Sequence, residues 1–322
     1  MIAELDSIIF DIDGVLIDVD ESIQMAHQQA AALYFGALGW RNCESMVEPS
    51  DVDAFKLAGG FNSDWDAAYA WLLLYLFKSG RYASQDGEVL KSASPTIAEF
   101  TAELAKRGGG LESAVEAMRE RCSAEEWANL EARWDRSGLQ RLFIESYSGD
   151  LCSEVYGFEA KTVTGPGLIL RDKPILEPRF LPDSIKLGIA TGRTAGETTV
   201  GLTLMGWSDL FPAEAIVSED DGFKKPDPGI MKLAVERLGA RRPMFIGDTP
   251  DDLLAVRRFN ETCRRDAGGT MLACMVLTGL GWAAKDGFIA EQADMIADNV
   301  NAALAAVSQC IGGALCPAEK QR

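Results

Sequence analysis

SIIFDIDG, residues Ser7 to Gly14, is the stretch that decides the fold. Its first four residues are a short, mostly apolar run, and the run stops abruptly at Asp11, Asp13 and Gly14. This is the pattern of a strand buried on both faces whose C-terminal end opens into a loop. The pattern recurs downstream. Ile185 to Ala190 is apolar and followed by Thr191, Ala215 to Val217 is a shorter candidate, and Met244 to Ile246 runs into Gly247 and Asp248. Met271 to Leu277 and Met295 to Ala297 complete the set. Between them, Pro226 to Leu238 predicts a helix with Ile230, Leu233, Ala234 and Leu238 on its apolar face, and Val300 to Val307 predicts another. Strand, loop and helix in alternation specify a parallel sheet with crossover helices.

The stretch from Ile17 to Gly165 reads differently. Glu21 to Leu38, Ala67 to Phe77, Thr96 to Lys106, Leu111 to Arg121, Ala124 to Trp134 and Gln140 to Val155 carry helical periodicity, with no alternating strand among them. The expected architecture is therefore α/β: a Rossmann-like doubly wound parallel sheet formed by residues 1–17 and 166–322. An all-helical cap domain, residues 18–165, is inserted after the first strand.

Composition narrows the function. Among 322 residues, 31 are Lys or Arg and 49 are Asp or Glu, a formal charge of −18. Such a chain repels phosphate backbones and anionic lipid, so neither nucleic acid nor a membrane surface is an expected partner. The longest apolar run, AAYAWLLLYLF (Ala67 to Phe77), is shorter than the roughly 20 residues that span a bilayer, and reads as a buried helix. MIAELDSIIF carries acidic residues where a secretory signal is basic, so the expected location is cytoplasmic. The 7 cysteines are odd in number and include no CxxC pair, which leaves free thiols as the expectation. His27 is the only histidine, so multi-histidine metal sites are excluded and a histidine-based nucleophile site is not expected. Nothing in the sequence indicates an oligomeric state.

In a doubly wound sheet the ligand crevice lies beyond the C-terminal strand ends. The polar residues there are Asp11 and Asp13, Thr191, Lys224 and Lys225, and Asp248, Asp251 and Asp252. Two aspartates two residues apart can serve one ligand as nucleophile and proton carrier. Carboxylate oxygens with open positions suit Mg²⁺, which favours carboxylates together with a substrate phosphate. A lysine and a hydroxyl can balance a transferring phosphoryl group. Together these groups make a phosphoryl-transfer site working through an aspartyl-phosphate.

The set FDIDG (Phe10 to Gly14), ATGRT (Ala190 to Thr194), KKPDP (Lys224 to Pro228) and IGDTPDD (Ile246 to Asp252) resembles the four ordered motifs of the haloacid dehalogenase superfamily. The helical insert resembles the family's first class of cap. The resemblance implies that Asp11 is the nucleophile, and that Asp13 protonates the leaving oxygen, activates water and lends its backbone carbonyl to the metal. It further implies that Thr191 and Gly192 hold phosphoryl oxygens, and that Lys225, rather than Lys224, is the motif lysine. Asp248 would bind Mg²⁺, and Asp252 would do so directly or through a water. Asp251 reads as a solvated residue at the start of a helix. Because Asp13 is present, a phosphate ester is the expected substrate rather than a haloacid. The implied activity is that of a phosphatase acting on a small phosphorylated metabolite. A phosphomutase and a non-catalytic binding protein of the same fold are the alternatives. Lys56, Asn62 and Trp65 of the cap are candidates for substrate contact, and Arg193 for a second anionic group.

Overall fold

The computed structural model describes residues 2–61, 63–262 and 269–311. They divide into two compact units: residues up to Asp20 with those from Asp172 onward, and Glu21–Arg171. Among the described residues no helix is long and apolar enough to cross a membrane.

The chain begins with β1 (Ser7–Phe10) and the short β2 (Ile17–Asp18). The helical unit then runs α1 (Asp20–Ala37), α2 (Pro49–Leu57), α3 (Asp64–Tyr82), α4 (Gly87–Ser92), α5 (Ile97–Arg107), α6 (Gly110–Arg119), α7 (Ala124–Arg133), α8 (Arg136–Ser148) and α9 (Cys152–Tyr156). Its centre is α3, whose Trp71 to Leu76 are all buried. A helix apolar all round can be stable only when it is enclosed. Phe35 of α1 stacks on Trp40 with ring centroids 4.4 Å apart and meets Tyr75 edge-on at 5.8 Å. The surrounding helices start on side-chain caps. Thr96 and Glu99 form a reciprocal capping box, as do Ser123 and Glu126, and Asp86 caps α4.

The expected helix from Gln140 to Val155 is in fact two. Gly149, with φ +53°, ends α8, and its N–H donates to the Glu145 carbonyl 2.8 Å away. A positive φ at glycine costs little and stops the helix.

The core unit continues through β3 (Lys173–Pro174), β4 (Lys186–Ala190), α10 (Ala195–Leu204), β5 (Ile216–Val217), α11 (Gly229–Leu238), β6 (Pro243–Gly247), α12 (Pro250–Thr262), β7 (Leu272–Val276), α13 (Gly281–Ala290), β8 (Met295–Ala297) and α14 (Val300–Ile311). The main sheet is parallel, in the order β5-β4-β1-β6-β7-β8. Every residue of β1 is buried, because β1 pairs with β4 on one side and β6 on the other, Phe10 lying opposite both Ile189 and Ile246. The strand order therefore reverses around β1, and this switch point opens a crevice at the C-terminal strand ends. Ile9, Ala190 and Phe245 from the sheet join Met231, Val256 and Phe259 in one core cluster.

Two details depart from expectation. Helix α11 begins at Gly229 rather than Pro226, where the Asp227 side chain accepts from the Gly229 N–H at 2.7 Å. Cys43, Cys122, Cys152 and Cys274 are free, but Cys310 is disulfide-bonded, which corrects the expectation of thiols throughout. A two-residue antiparallel ladder, Ile17 with Pro174 and Asp18 with Lys173, joins β2 to β3.

Candidate active site

Asp11 follows β1 directly, and its N–H still donates to the Ile246 carbonyl at 2.9 Å, so the ladder fixes its position. Its side chain accepts from the Ile12 N–H at 2.8 Å through Oδ1 and meets Lys225 Nζ at 2.7 Å through Oδ2. Lys225 Nζ lies equally close, 2.7 Å, to Asp252 Oδ1 and sits over the Phe245 ring. Lys224 is exposed and pairs with Glu219 at 2.8 Å, so Lys225 is the lysine that enters the site.

Asp252 is fully buried and occupied on both oxygens. Its Oδ2 accepts from the N–H of Asp248 (3.2 Å), the N–H of Thr249 (3.1 Å) and the hydroxyl of Thr249 (2.8 Å). The Asp252 N–H donates back to Thr249 Oγ1 at 3.3 Å. This reciprocal arrangement at the start of α12 has the geometry of a capping box, and TPDD (Thr249 to Asp252) is its sequence signal. Asp251, expected to be solvated, is 8% exposed and belongs to the packed first turn of α12.

Asp248, at the end of β6, is buried and accepts from the Leu280 N–H at 3.3 Å. Gly14 leaves room for it. With φ +73°, Gly14 turns the chain after Asp13, and a Cβ there would collide with the Asp248 carboxylate. Thr191, at the end of β4, is fully buried; its N–H donates to the Val217 carbonyl at 3.0 Å and its hydroxyl accepts from the Arg193 N–H at 3.2 Å. Gly192 beside it is exposed.

Arg193 has a different environment from the one expected. Instead of facing an outside anion, it is 5% exposed, with Nε and Nη2 on Asp13 Oδ1 at 2.8 and 2.7 Å and Nη2 on Asp172 at 3.2 Å. Sequence reasoning missed Asp172, because a lone aspartate far along the chain carries no motif. Lys56 and Trp65 lie within the helical unit. Lys56 Nζ is 3.1 Å from Asp64 in the first turn of α3, and Trp65 is half-buried next to it. Asn62 lies outside the described residues.

The electrostatics follow from burial. Removing Asp11 from water pushes its carboxyl upward, and the charges of Asp252 and Asp13 add to that against the pull of Lys225. Burial works against charge on Lys225 too, but Asp11 and Asp252 override it and hold the ammonium above its ordinary range. One oxygen each from Asp11, Asp248 and Asp252 lie within 4.8 Å of one another. With Asp13 alongside, carboxylates outnumber Lys225 and Arg193, and a hard divalent cation suits that imbalance.

Residues 180–260 match the family model for haloacid dehalogenase-like hydrolases. That segment of the core is similar to a haloacid dehalogenase-like hydrolase. The chain shares its fold with a phosphatase, Tt82 from Thermococcus thioreducens, at 24% identity over 95% of this chain and 99% of that one, with a TM-score of 0.59. An X-ray structure of a Northeast Structural Genomics Consortium target gives a TM-score of 0.61 at 18% identity, covering 96% of this chain and all of that one. An imidazoleglycerol-phosphate dehydratase of Phytophthora nicotianae is 24% identical over 260 residues, or 80% of this chain. The chain spans only 42% of that protein's length.

Proposed function

We propose that the protein is a Mg²⁺-dependent phosphatase of the cytoplasm that cleaves a small phosphorylated metabolite through an aspartyl-phosphate. The observation that carries this reading is the buried ammonium of Lys225, held 2.7 Å from Asp11 and anchored on Asp252, with Asp13 two residues further on. Asp11 attacks phosphorus. Lys225 balances charge on the nucleophile and the phosphoryl group, and the Thr191 hydroxyl and the Gly192 N–H hold phosphoryl oxygens. Asp13 gives a proton to the leaving ester oxygen and then takes one from the water that releases phosphate. Asp11, Asp248 and the Asp13 carbonyl would hold Mg²⁺, with Asp252 binding it directly or through a water. The ion when bound offsets the negative charge of the carboxylates and the phosphate.

Lys56, Trp65 and Asn62 of the helical unit are the residues we propose to contact the leaving group. The name of the Phytophthora relative adds imidazoleglycerol phosphate to the esters worth testing. The experiment assays p-nitrophenyl phosphate and a panel of sugar, organic-acid and imidazoleglycerol phosphates with Mg²⁺ or EDTA, beside Asp11→Asn. Hydrolysis is expected to vanish in EDTA and to fall by at least about 10³-fold in the variant. Activity indifferent to either sinks the mechanism. Transfer of phosphate to a second hydroxyl of the same sugar, without release, would make the protein a phosphomutase.

A further inference from the structure

The guanidinium of Arg193 stands behind the aspartate assigned to proton transfer, and the motif comparison gives it no role there. Its Nε donates to one oxygen of Asp13, Oδ1, at 2.8 Å, and its Nη2 forms an ion pair with the same oxygen at 2.7 Å. The same Nη2 reaches Asp172 Oδ2 at 3.2 Å, and the Asp172 side chain is completely buried. The Arg193 side chain is 4% exposed, whereas that of Asp13 is 33% exposed. A guanidinium so far from water persists only where carboxylates receive it in good geometry.

Helix α10 is shaped around this group. Gly201 is a mid-helix glycine, which ordinarily costs up to about 1 kcal/mol against alanine. A Cβ at Gly201 would come within 2.5 Å of Arg193 Nη1. Space normally taken by a methyl group is therefore occupied by the guanidinium.

Resting on the phosphatase reading above, we propose that Arg193 is a positioning residue that selects which oxygen of Asp13 carries the catalytic proton. With Nε and Nη2 on Oδ1, that oxygen is turned toward the guanidinium, and Oδ2 is the one left to exchange a proton with the leaving group. Asp172, the first residue of the returning chain in the core unit, sets the angle from behind. As the Asp11–phosphorus bond forms and the ester P–O bond breaks, the proton on Asp13 Oδ2 passes to the departing alkoxide. When water later opens the aspartyl-phosphate, its proton returns to the same oxygen, and the cycle balances.

The test uses the dependence of general-acid catalysis on the leaving group. An alkoxide needs the proton, whereas p-nitrophenolate leaves well without it. The value of kcat/KM reports only steps through the first phosphoryl transfer, so the later base role does not intrude. Arg193→Met, Arg193→Lys and Gly201→Ala are assayed with glycerol 2-phosphate and p-nitrophenyl phosphate, beside Asp13→Asn as calibration. Arg193→Met should lower kcat/KM on the alkyl ester by roughly 100-fold, within the usual range for a general acid, and on the aryl ester by under about 5-fold. Arg193→Lys, which keeps the charge but not the double contact, should fall between. Gly201→Ala, which alters no charged group, should show the same skew in weaker form.

An equal loss on both esters would mean that Arg193 merely supports the fold, and would overturn the proposal. So would an unskewed Gly201→Ala combined with full rescue by lysine. A wild type inactive on both esters overturns the phosphatase reading itself, an outcome distinct from an active wild type whose variants show no skew.

Discussion

Replacing Lys225 with methionine removes the one ammonium shared by Asp11 and Asp252 while keeping a side chain of similar length. The two oxygens each lie 2.7 Å from Nζ and so can be no farther apart than twice that distance. Two carboxylates about 5 Å apart, at an effective dielectric near 20, repel by about 3 kcal/mol. Stripping one partner from a buried ion cluster typically costs about 3–5 kcal/mol, and the repulsion is part of that cost. The metal-free variant should therefore melt roughly 10 °C lower near neutral pH. The sign of the pH dependence is also fixed. Burial, then the charges of Asp252 and Asp13, already raise the Asp11 carboxyl, and losing Lys225 raises it further. A carboxyl raised in the native state contributes stability that is full below its unfolded value, near 3.9, and is lost as pH rises through the native value. The deficit of Lys225→Met should thus be small at pH 5 and large at pH 8. Urea denaturation in EDTA at both values measures it. Wild-type stability at pH 8, or the same deficit at both pH values, would refute this account of the site.

Three further outcomes follow from other parts of the molecule. Gly14→Ala places a Cβ against the Asp248 carboxylate at a φ of +73°. It should destabilise the core unit by about 1–3 kcal/mol and weaken Mg²⁺-dependent activity, as read by melting and by metal titration. His27 is fully buried, and burial lowers its pKa; Trp71 Nε1 donates to its Nδ1 at 3.2 Å, which fits the neutral ring. A base lowered in the native state gives stability that is present above its unfolded value, near 6.5, and is lost as pH falls. The gap in urea midpoint between wild type and His27→Gln should therefore shrink on going from pH 7.5 to 5.5, and a constant gap would contradict the neutral ring. Thr96→Ala deletes the hydroxyl that accepts from the Glu99 N–H at 3.2 Å and should cost about 1 kcal/mol in chemical denaturation.

Some of the architecture could be read directly from the sequence, for physical reasons. SIIF and Met295 to Ala297 coincide with β1 and β8, and β4, β6 and β7 come within a residue or two. A strand buried on both faces must be apolar throughout, and polar residues that follow it abruptly have few other readings. The same logic brought Asp11, Lys225 and Asp252 together, because each lies in the chain that leaves β1, β5 or β6 at the C-terminal end of the sheet. Helix α10 was not legible. AGETTVGLTL shows no apolar stripe, since part of one face is reserved for the guanidinium at Gly201. The two-residue strands β2 and β3 are too short for any period to show. Arg193 looked like a contact for a second anion because it stands two residues after Thr191, the threonine expected to hold a phosphoryl oxygen. Its partner Asp172 becomes adjacent only after the chain has completed the helical unit. The burial of Asp251 was hidden in the same way, since the packing around the first turn of α12 is tertiary.

The ladder of β2 and β3 has a consequence for how such a protein can change. The chain leaves the core at Asp18 and returns at Lys173, and these two residues are paired with each other. The cost of closing a loop grows only with the logarithm of its length, about 0.6 kcal/mol for each doubling. The core is therefore almost indifferent to how much polypeptide is spliced between the two halves of that clasp. Glu21–Arg171 can drift, shorten or be exchanged as a cassette, while the strands carrying Asp11, Thr191 and Asp248 keep their register. A chimera joining this clasp to a foreign helical insert should retain the sheet and the cluster of Asp11, Asp248 and Asp252.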